Sequence, residues 1–414
     1  KGWDIKVSIV GDQKKIKGDS LKALNKLKLK PFSFNEISID KTKLFIDAIY
    51  GIGLSRKINK KECAILNTLD KHPAPIIAID IPSGIDCNNG KILGFAAHSD
   101  LTITFSTLKA GHILLPGSEK INKIKVVDIG ISKDVINKIK PYVKINDKNQ
   151  WVKEINWPKI NDHKYSRGYS LIIGGPKNMT GASRLAAISA QRAGSGIVAL
   201  ATEKEAEDIY FISLTSQLVK TYKNIKEYNT IINEPRIDSI VIGPGLDISN
   251  KSILKIKSAL KTNKRIVLDA GALTCFKNKL EIFVKMISGK DVIITPHEGE
   301  LKSILPNLSG SIISKALKAA KILNTIVILK GATTVIASPN NTALVNTAGA
   351  KWLATAGSGD VLAGIIGGLL SNKMETFYAA AYGVWLHSEA GKYLGPGLIA
   401  EDIPKILPKI LKNI

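Results

Sequence analysis

The sequence predicts an α/β protein of two domains, each built on a parallel sheet. Short apolar runs rich in β-branched residues recur along the chain, each followed by turn residues and then a helical stretch. These runs are continuously apolar rather than alternating, as in strands covered on both faces. At 414 residues the chain is also too long for one ordinary core. A polar stretch from Asn146 to Gly168, carrying Pro158 and no sustained apolar period, interrupts the alternation. We place the domain link there, with domains over residues 1–150 and 151–414.

In the first domain the expected strands are IKVSIV, KLFIDAI, APIIAIDIP, LTITFS and IKVVDIG. The second opens on YSLIIGG, a strand entering a glycine turn, and GASRLAAISAQRAGSG, a helix of small residues. IVALAT, SIVIGPG, RIVLDAGAL, DVIITPHEGE and TIVILKGATTVIAS follow, each a strand ending in turn chemistry. The domain closes on the helical segments TAGSGDVLAG and FYAAAYGVWLHSEAGKYLG. Open α/β sheets bind ligands beyond the carboxyl ends of their strands, where Gly, Pro, Asp and His gather here.

The formal charge of +24 suggests a nucleic-acid binder, but nearly all the basic residues are Lys. Abundant Lys, Ile and Asn are what an AT-rich coding sequence produces. No Arg-rich block or basic stripe with interleaved aromatics is present, so we assign no nucleic-acid partner. A positive field still concentrates phosphorylated small substrates. Cys63, Cys87 and Cys275 match no metal or redox spacing, and reduced thiols in the cytoplasm are expected. No apolar run is long enough to span a bilayer, so no membrane association is expected. The opening KGWDIKVSIVG has no Met and starts at the edge of a strand, like the interior of a domain with further chain upstream.

Residues 355–370, TAGSGDVLAGIIGGLL, place one carboxylate between small residues and an apolar segment. Gly357 and Gly359 permit a tight turn. From Val361 onward, Ala363, Gly364, Gly367 and Gly368 suit a buried helix packed closely on a neighbour. The first turn of that helix offers unpaired N–H groups and partial positive charge, a natural seat for phosphate. Asp360 beside a phosphate is repulsive unless it accepts a proton or helps hold a metal. The same Asp could equally serve as helix N-cap, and at this point both readings stand.

Four strand ends accompany this turn. GGPKNMTGA (174–182) and GPG (243–245) let backbone approach a ligand. TPHEGE supplies His297, Glu298 and Glu300, and LKGATT supplies Lys330 and two hydroxyls. Singly, each is an ordinary turn; together, at equivalent positions, they describe a site.

The order HKYSRG, MTGASRLAA, RAGSG, GPGL, LDAGAL, TPHEGE, LKGATT and LATAGSGDVLAG closely resembles the ADP-dependent NAD(P)H-hydrate dehydratase family. The resemblance covers residues 156–414 and implies a ribokinase-like α/β/α fold. It implies dehydration of the S epimer of hydrated NADH or NADPH (NADHX, NADPHX), with ADP as phosphoryl donor and release of AMP and phosphate. Asp360 would be catalytic. Lys330, Gly331, Ala332, Thr333, Thr334 and Gly359 would bind ADP, and Ala182, Gly245, His297 and Asp360 the hydrated dinucleotide. Mg²⁺ is expected with the nucleotide phosphates. One departure is Gly271 in DAGAL, where the family commonly carries a second Asp; Asp269 is retained.

In the first domain, DAIYGIGLSR and AIDIPSGID resemble the NAD(P)H-hydrate epimerase family, whose domain is Rossmann-like. The resemblance implies substrate contacts at Gly51, Ile52, Gly53, Leu54, Ser55, Arg56, Lys57 and Asp80, with Asp80 an acid/base. It implies Asp47 and Ser83 as ligands of K⁺. Lys109, in STLKAGH, is a further polar candidate. The alternative for Asp47 and Asp80 is an Asp that ends a strand and caps the next turn. The family's GNNGGDG loop is absent, so the chain is either a fragment or has lost the loop, and little or no epimerase activity is expected of these 414 residues.

A fused epimerase and dehydratase form a bifunctional repair enzyme. The competing expectations are a ribokinase-like small-molecule kinase, which shares the Gly/Asp anion hole, and a nucleotide-binding scaffold without turnover. The resemblance also implies a homo-oligomer, since members of the dehydratase family often assemble as tetramers.

Overall fold

The computed structural model describes residues 2–34, 38–347 and 351–414. The chain divides into two compact units, Lys1–Lys140 and Pro141–Ile414. The division therefore falls at 140/141 rather than 150/151. The stretch after Lys140 belongs to the second unit, because two of its side chains are core residues. Trp151 is fully buried, stacked on Tyr382 at 4.4 Å, and donates its indole N–H to Asn146 Oδ1. Asn146 in turn donates to the Ala381 carbonyl at 2.8 Å.

In the first unit, β1 (Ser8–Ile9) and β2 (Phe32–Ser33) form a short parallel pair. The main sheet comprises β3 (Phe45–Asp47), β4 (Ile76–Ile79), β5 (Ser99–Phe105) and β6 (Ile121–Val127), in that spatial order and all parallel. The helix Lys60–Lys71 fills the β3–β4 crossover and starts on a capping box between Asn59 and Glu62. Burial on both faces, as the apolar runs predict, fails at the edges of this sheet. Ile46 on β3 is 64% exposed and Val126 on β6 is 45% exposed.

The second unit contains β7 (Val143–Ile145), β8 (Tyr169–Ile173), β9 (Ile197–Glu203), β10 (Leu218–Tyr222), β11 (Ser239–Ile242), β12 (Arg265–Leu268), β13 (Val292–Ile294), β14 (Ile326–Leu329), β15 (Thr334–Ser338) and β16 (Thr342–Asn346). They form one sheet in the order β10-β9-β8-β11-β12-β13-β14-β15-β16-β7. Pairing is parallel from β10 to β14 and antiparallel through the β14–β15–β16 meander. All residues of β8, β11 and β13 are buried, as the apolar runs predict.

The helices Thr180–Arg192 and Ser358–Ser371 pack on each other backbone to backbone. A Cβ added at Gly364 would lie 2.2 Å from the Ala186 carbonyl oxygen, and one at Gly368 would lie 2.3 Å from that of Ala190. The small residues thus set the distance at which the anion-hole helix docks. Gly364→Val should destabilise the protein by about 3 kcal/mol or more, since backbone cannot yield as a side chain does. A denaturation midpoint equal to the wild type's would show that the helices are not held this closely.

Candidate functional site

The strands β8, β11, β12, β13 and β14 are parallel neighbours, so their carboxyl ends lie side by side. There the chain presents Gly174–Gly175, Gly243–Gly245, Asp269, Thr295–His297 and Lys330 in a row. The strand order reverses between β8 and β11, which is where such sheets bind ligands. Gly245 takes φ 72°, and a Cβ there would sit 2.3 Å from Met179 O and 3.4 Å from the Ala182 Cβ. Two residues singled out separately in the sequence are therefore adjacent.

Asp269, 1% exposed, directly follows β12. Its Oδ1 accepts hydrogen bonds from the Thr295 hydroxyl at 2.7 Å and the Lys330 ammonium at 2.8 Å. Lys330 is held by its backbone N–H, which donates to Pro296 O at 2.8 Å. Gly359 faces this pair: a Cβ there would approach Lys330 Nζ to 3.3 Å. The next residue is Asp360.

Gly357, at φ 85°, is the N-cap of the helix Ser358–Ser371, and Asp360 lies in its first turn. The capping alternative for Asp360 is thereby removed. Its carboxylate forms no hydrogen bond or ion pair among the described residues. Burial, followed by the charge of Asp269, pushes its pKa up to about 6, against the pull of Lys330. Lys330 is shifted upward: burial opposes its charge, but Asp269, Glu300 and Asp360 outweigh it. The site therefore pairs a firmly charged ammonium with a carboxylate poised to take a proton near neutrality.

His297 is the N-cap of the helix Glu298–Ile304. Its Nδ1 accepts from the N–H groups of Gly299 and Glu300, which assigns its proton to Nε2, and the side chain is 60% exposed. In the β14–β15 turn, Gly331 and Ala332 are exposed, Thr333 is buried, and the Thr334 hydroxyl donates to Gly331 O at 3.2 Å. Only backbone and the exposed residues of this turn are free to meet a nucleotide. Thr295 and the Asp269–Lys330 pairing are not predicted from the sequence; both sit at strand ends already flagged there. His387, which bonds to Ser358, carries no local signal beyond being a lone His in a helix of small residues.

Gly271 has no room for the carboxylate common in the family. A Cβ there would lie 2.1 Å from Leu246 O, and the preceding Ala270 takes φ 44°, a strained value for a residue with a side chain. Gly271→Asp should cost about 1–3 kcal/mol and restore no activity. Thermal melts alongside turnover check this; a stable, faster variant would contradict it.

In the first unit, Asp80 follows β4 at φ 68° and its Oδ1 is paired with the Lys109 ammonium at 2.5 Å and the Thr104 hydroxyl at 2.9 Å. Burial works to raise its pKa, but Lys109 and Thr104 bring it below the usual carboxylate range. His112, 3% exposed, accepts the Lys109 N–H at Nδ1 and so donates from Nε2 to Asp80 O at 2.8 Å, fixing the strained residue. A Cβ at Gly51 would lie 3.9 Å from Asp80 Oδ2, so the Gly51–Gly53 turn faces this carboxylate. Ile52, Gly53, Ser55, Arg56 and Lys57 are exposed along the same loop, while the Leu54 side chain is packed against Ile58 and Leu66. Leu54 can therefore offer a ligand only its backbone. Arg56 donates to the Tyr50 hydroxyl at 3.1 Å, and Tyr50 to Glu62 at 2.6 Å.

Asp47 and Ser83 meet directly. The Ser83 hydroxyl and N–H donate to the two Asp47 oxygens at 2.6 and 2.8 Å. Asp47 is 2% exposed, and burial raises its pKa although the Ser83 bonds pull it down.

Fold and site define a ribokinase-like, phosphate-handling enzyme domain joined to a smaller parallel α/β domain. A family profile described as NAD(P)H-hydrate dehydratase matches residues 170–409, and one described as YjeF-related protein N-terminus matches residues 1–111. A bifunctional NAD(P)H-hydrate repair enzyme from Dictyoglomus turgidum is 33% identical, covering 100% of this chain and 82% of its own. Its counterpart from Moorella thermoacetica is 29% identical over 92% of this chain and 74% of its own. An ADP/ATP-dependent NAD(P)H-hydrate dehydratase from Bacillus subtilis, co-crystallised with ATP and Mg²⁺, superposes with a TM-score of 0.58 at 26% identity, over 66% of this chain and 98% of that one. The chain belongs to the bifunctional NAD(P)H-hydrate repair enzyme family.

Proposed function

We propose that the chain repairs hydrated nicotinamide nucleotides: its second unit dehydrates (S)-NAD(P)H-hydrate at the expense of ADP, and its first unit is an epimerase-like half that, without the GNNGGDG loop, turns over the R and S hydrates little or not at all in these 414 residues. The observation that carries the dehydratase reading is the unpartnered Asp360 carboxylate in the first turn of the Gly357-led helix, beside the Lys330 ammonium. Asp360 takes the proton of the ring hydroxyl as that oxygen bonds to the terminal phosphorus of ADP, and AMP leaves. The hydroxyl becomes a phosphate ester, a far better leaving group than hydroxide. The ring nitrogen's electron pair then expels phosphate, and loss of the neighbouring ring proton restores NADH or NADPH. The N–H groups of the first turn and Lys330 stabilise the charge that develops on the phosphoryl oxygens.

Among the described residues no three His, Cys, Asp or Glu side chains converge as a metal cage. Mg²⁺ commonly arrives on nucleotide phosphates and needs few protein ligands; Glu300, whose charge acts on both Lys330 and Asp360, would be such a group. When bound, the ion would neutralise phosphate charge. In the first unit, Asp80 is the acid/base for epimerisation, with Lys109 keeping it ionised. Among the described residues buried Asp47 has only neutral hydrogen-bond donors, and a monovalent cation such as K⁺ there would compensate its charge. A homo-oligomer, of which a tetramer is one form, and a cytoplasmic location belong to the same proposal.

The test is recovery of the near-ultraviolet absorbance of NADH from purified (S)-NADHX with ADP, ATP or no nucleotide, then from a mixture of both epimers. ADP-dependent recovery from the S epimer supports the dehydratase, and recovery from the mixture that stops when the S epimer is exhausted is the result expected of these 414 residues. Rapid, complete recovery from the mixture would overturn the expected loss of epimerase activity, and none at all would remove the dehydratase.

A further inference from the structure

The Ser358 hydroxyl and His387 Nε2 are 3.0 Å apart, and both residues are buried, at 5% and 8% exposed. Ser358 is the first residue of the anion-hole helix, directly after left-handed Gly357 and two residues before Asp360. His387 lies midway along the helix Thr376–Leu394, which packs behind that turn. From the proposed dehydratase reading and this geometry, we propose that His387 is a positioning residue: through Ser358 it fixes the turn whose N–H groups hold the transferring phosphoryl group of ADP.

Three features support this assignment. The turn already has close apolar neighbours, since a Cβ at Gly357 would lie 2.7 Å from Leu185 Cδ1 and 3.0 Å from Ala400 Cβ. Beside these apolar contacts and the backbone bond from Ser358 N–H to Thr355 O, the hydrogen bond to His387 restrains the Ser358 side chain. Burial, with Lys330 adding to it, lowers the His387 pKa to about 4, so the imidazole is neutral at working pH and adds no charge behind the phosphate. A neutral imidazole still offers one donor and one acceptor nitrogen, which a Leu of similar bulk does not.

The experiment measures ADP and AMP affinity by calorimetry for wild type, His387→Leu, His387→Gln, Ser358→Ala and the Leu/Ala double variant. AMP lacks the phosphoryl group that the turn holds. His387→Leu and Ser358→Ala should each lower ADP affinity about tenfold, the scale of one lost hydrogen bond, and leave AMP affinity unchanged. His387→Gln, which can still bond Ser358, should retain most of the preference, and the double variant should be no worse than either single one. A merely structural His387 would lower thermal stability and weaken both nucleotides alike. Folded His387→Leu with wild-type preference for ADP overturns the proposal. A wild type that does not prefer ADP to AMP instead overturns the underlying reading of the anion hole.

Discussion

Asp360→Asn should lower kcat for ADP-dependent dehydration by about a thousandfold, within the range a general base contributes. ADP affinity should hold or improve, because the substitution removes a negative charge beside the phosphates. The amide nearly preserves shape, so the variant should fold. The wild-type pH profile carries a second sign of the same group. Asp360 must be ionised to accept a proton, and its pKa is raised to about 6, so kcat should climb as pH rises through that value and level off above it. Asp360→Asn should lack this limb. A variant within tenfold of wild type, or one retaining the acid limb, would remove Asp360 from the chemistry.

The second large effect belongs to Lys330→Met. Among the described residues Lys330 alone forms an ion pair with buried Asp269, and removing one partner of such a pair costs about 3 kcal/mol or more. Lys330 is also the group that pulls the Asp360 pKa down against burial and Asp269. Its loss should therefore move the acid limb of the pH profile to higher pH, while kcat/KM for ADP falls about a hundredfold. Full-length protein, a shared melting assay and pH profiles of both enzymes check this. An acid limb left in place would mean that Lys330 does not govern Asp360.

Much of this site is readable in the sequence because it lies at strand ends, where local chemistry and topology coincide. The glycine turn before Asp360 and the small residues after it predict a tightly docked helix, and Gly364 and Gly368 take those contacts. His297, Lys330 and Gly245 each follow an apolar run that becomes a central parallel strand. What escapes the sequence depends on partners distant in the chain. Nothing near His387 announces Ser358, and nothing near Asp80 announces Thr104 or His112. The polar stretch after Lys140 reads as a linker because its two anchoring side chains, Asn146 and Trp151, are spaced too far apart to make a period. The exposed faces of β3 and β6 fail the same way: apolar content alone does not say which strand becomes an edge.

The most direct test of the account is a product count in one reaction of wild-type enzyme with (S)-NADHX, ADP and Mg²⁺. The account predicts NADH, AMP and inorganic phosphate in equal amounts, with no phosphorylated nucleotide hydrate accumulating. AMP formed alongside a stable phosphorylated product would make the enzyme a kinase, and NADH formed without AMP would mean that ADP is not the phosphoryl donor.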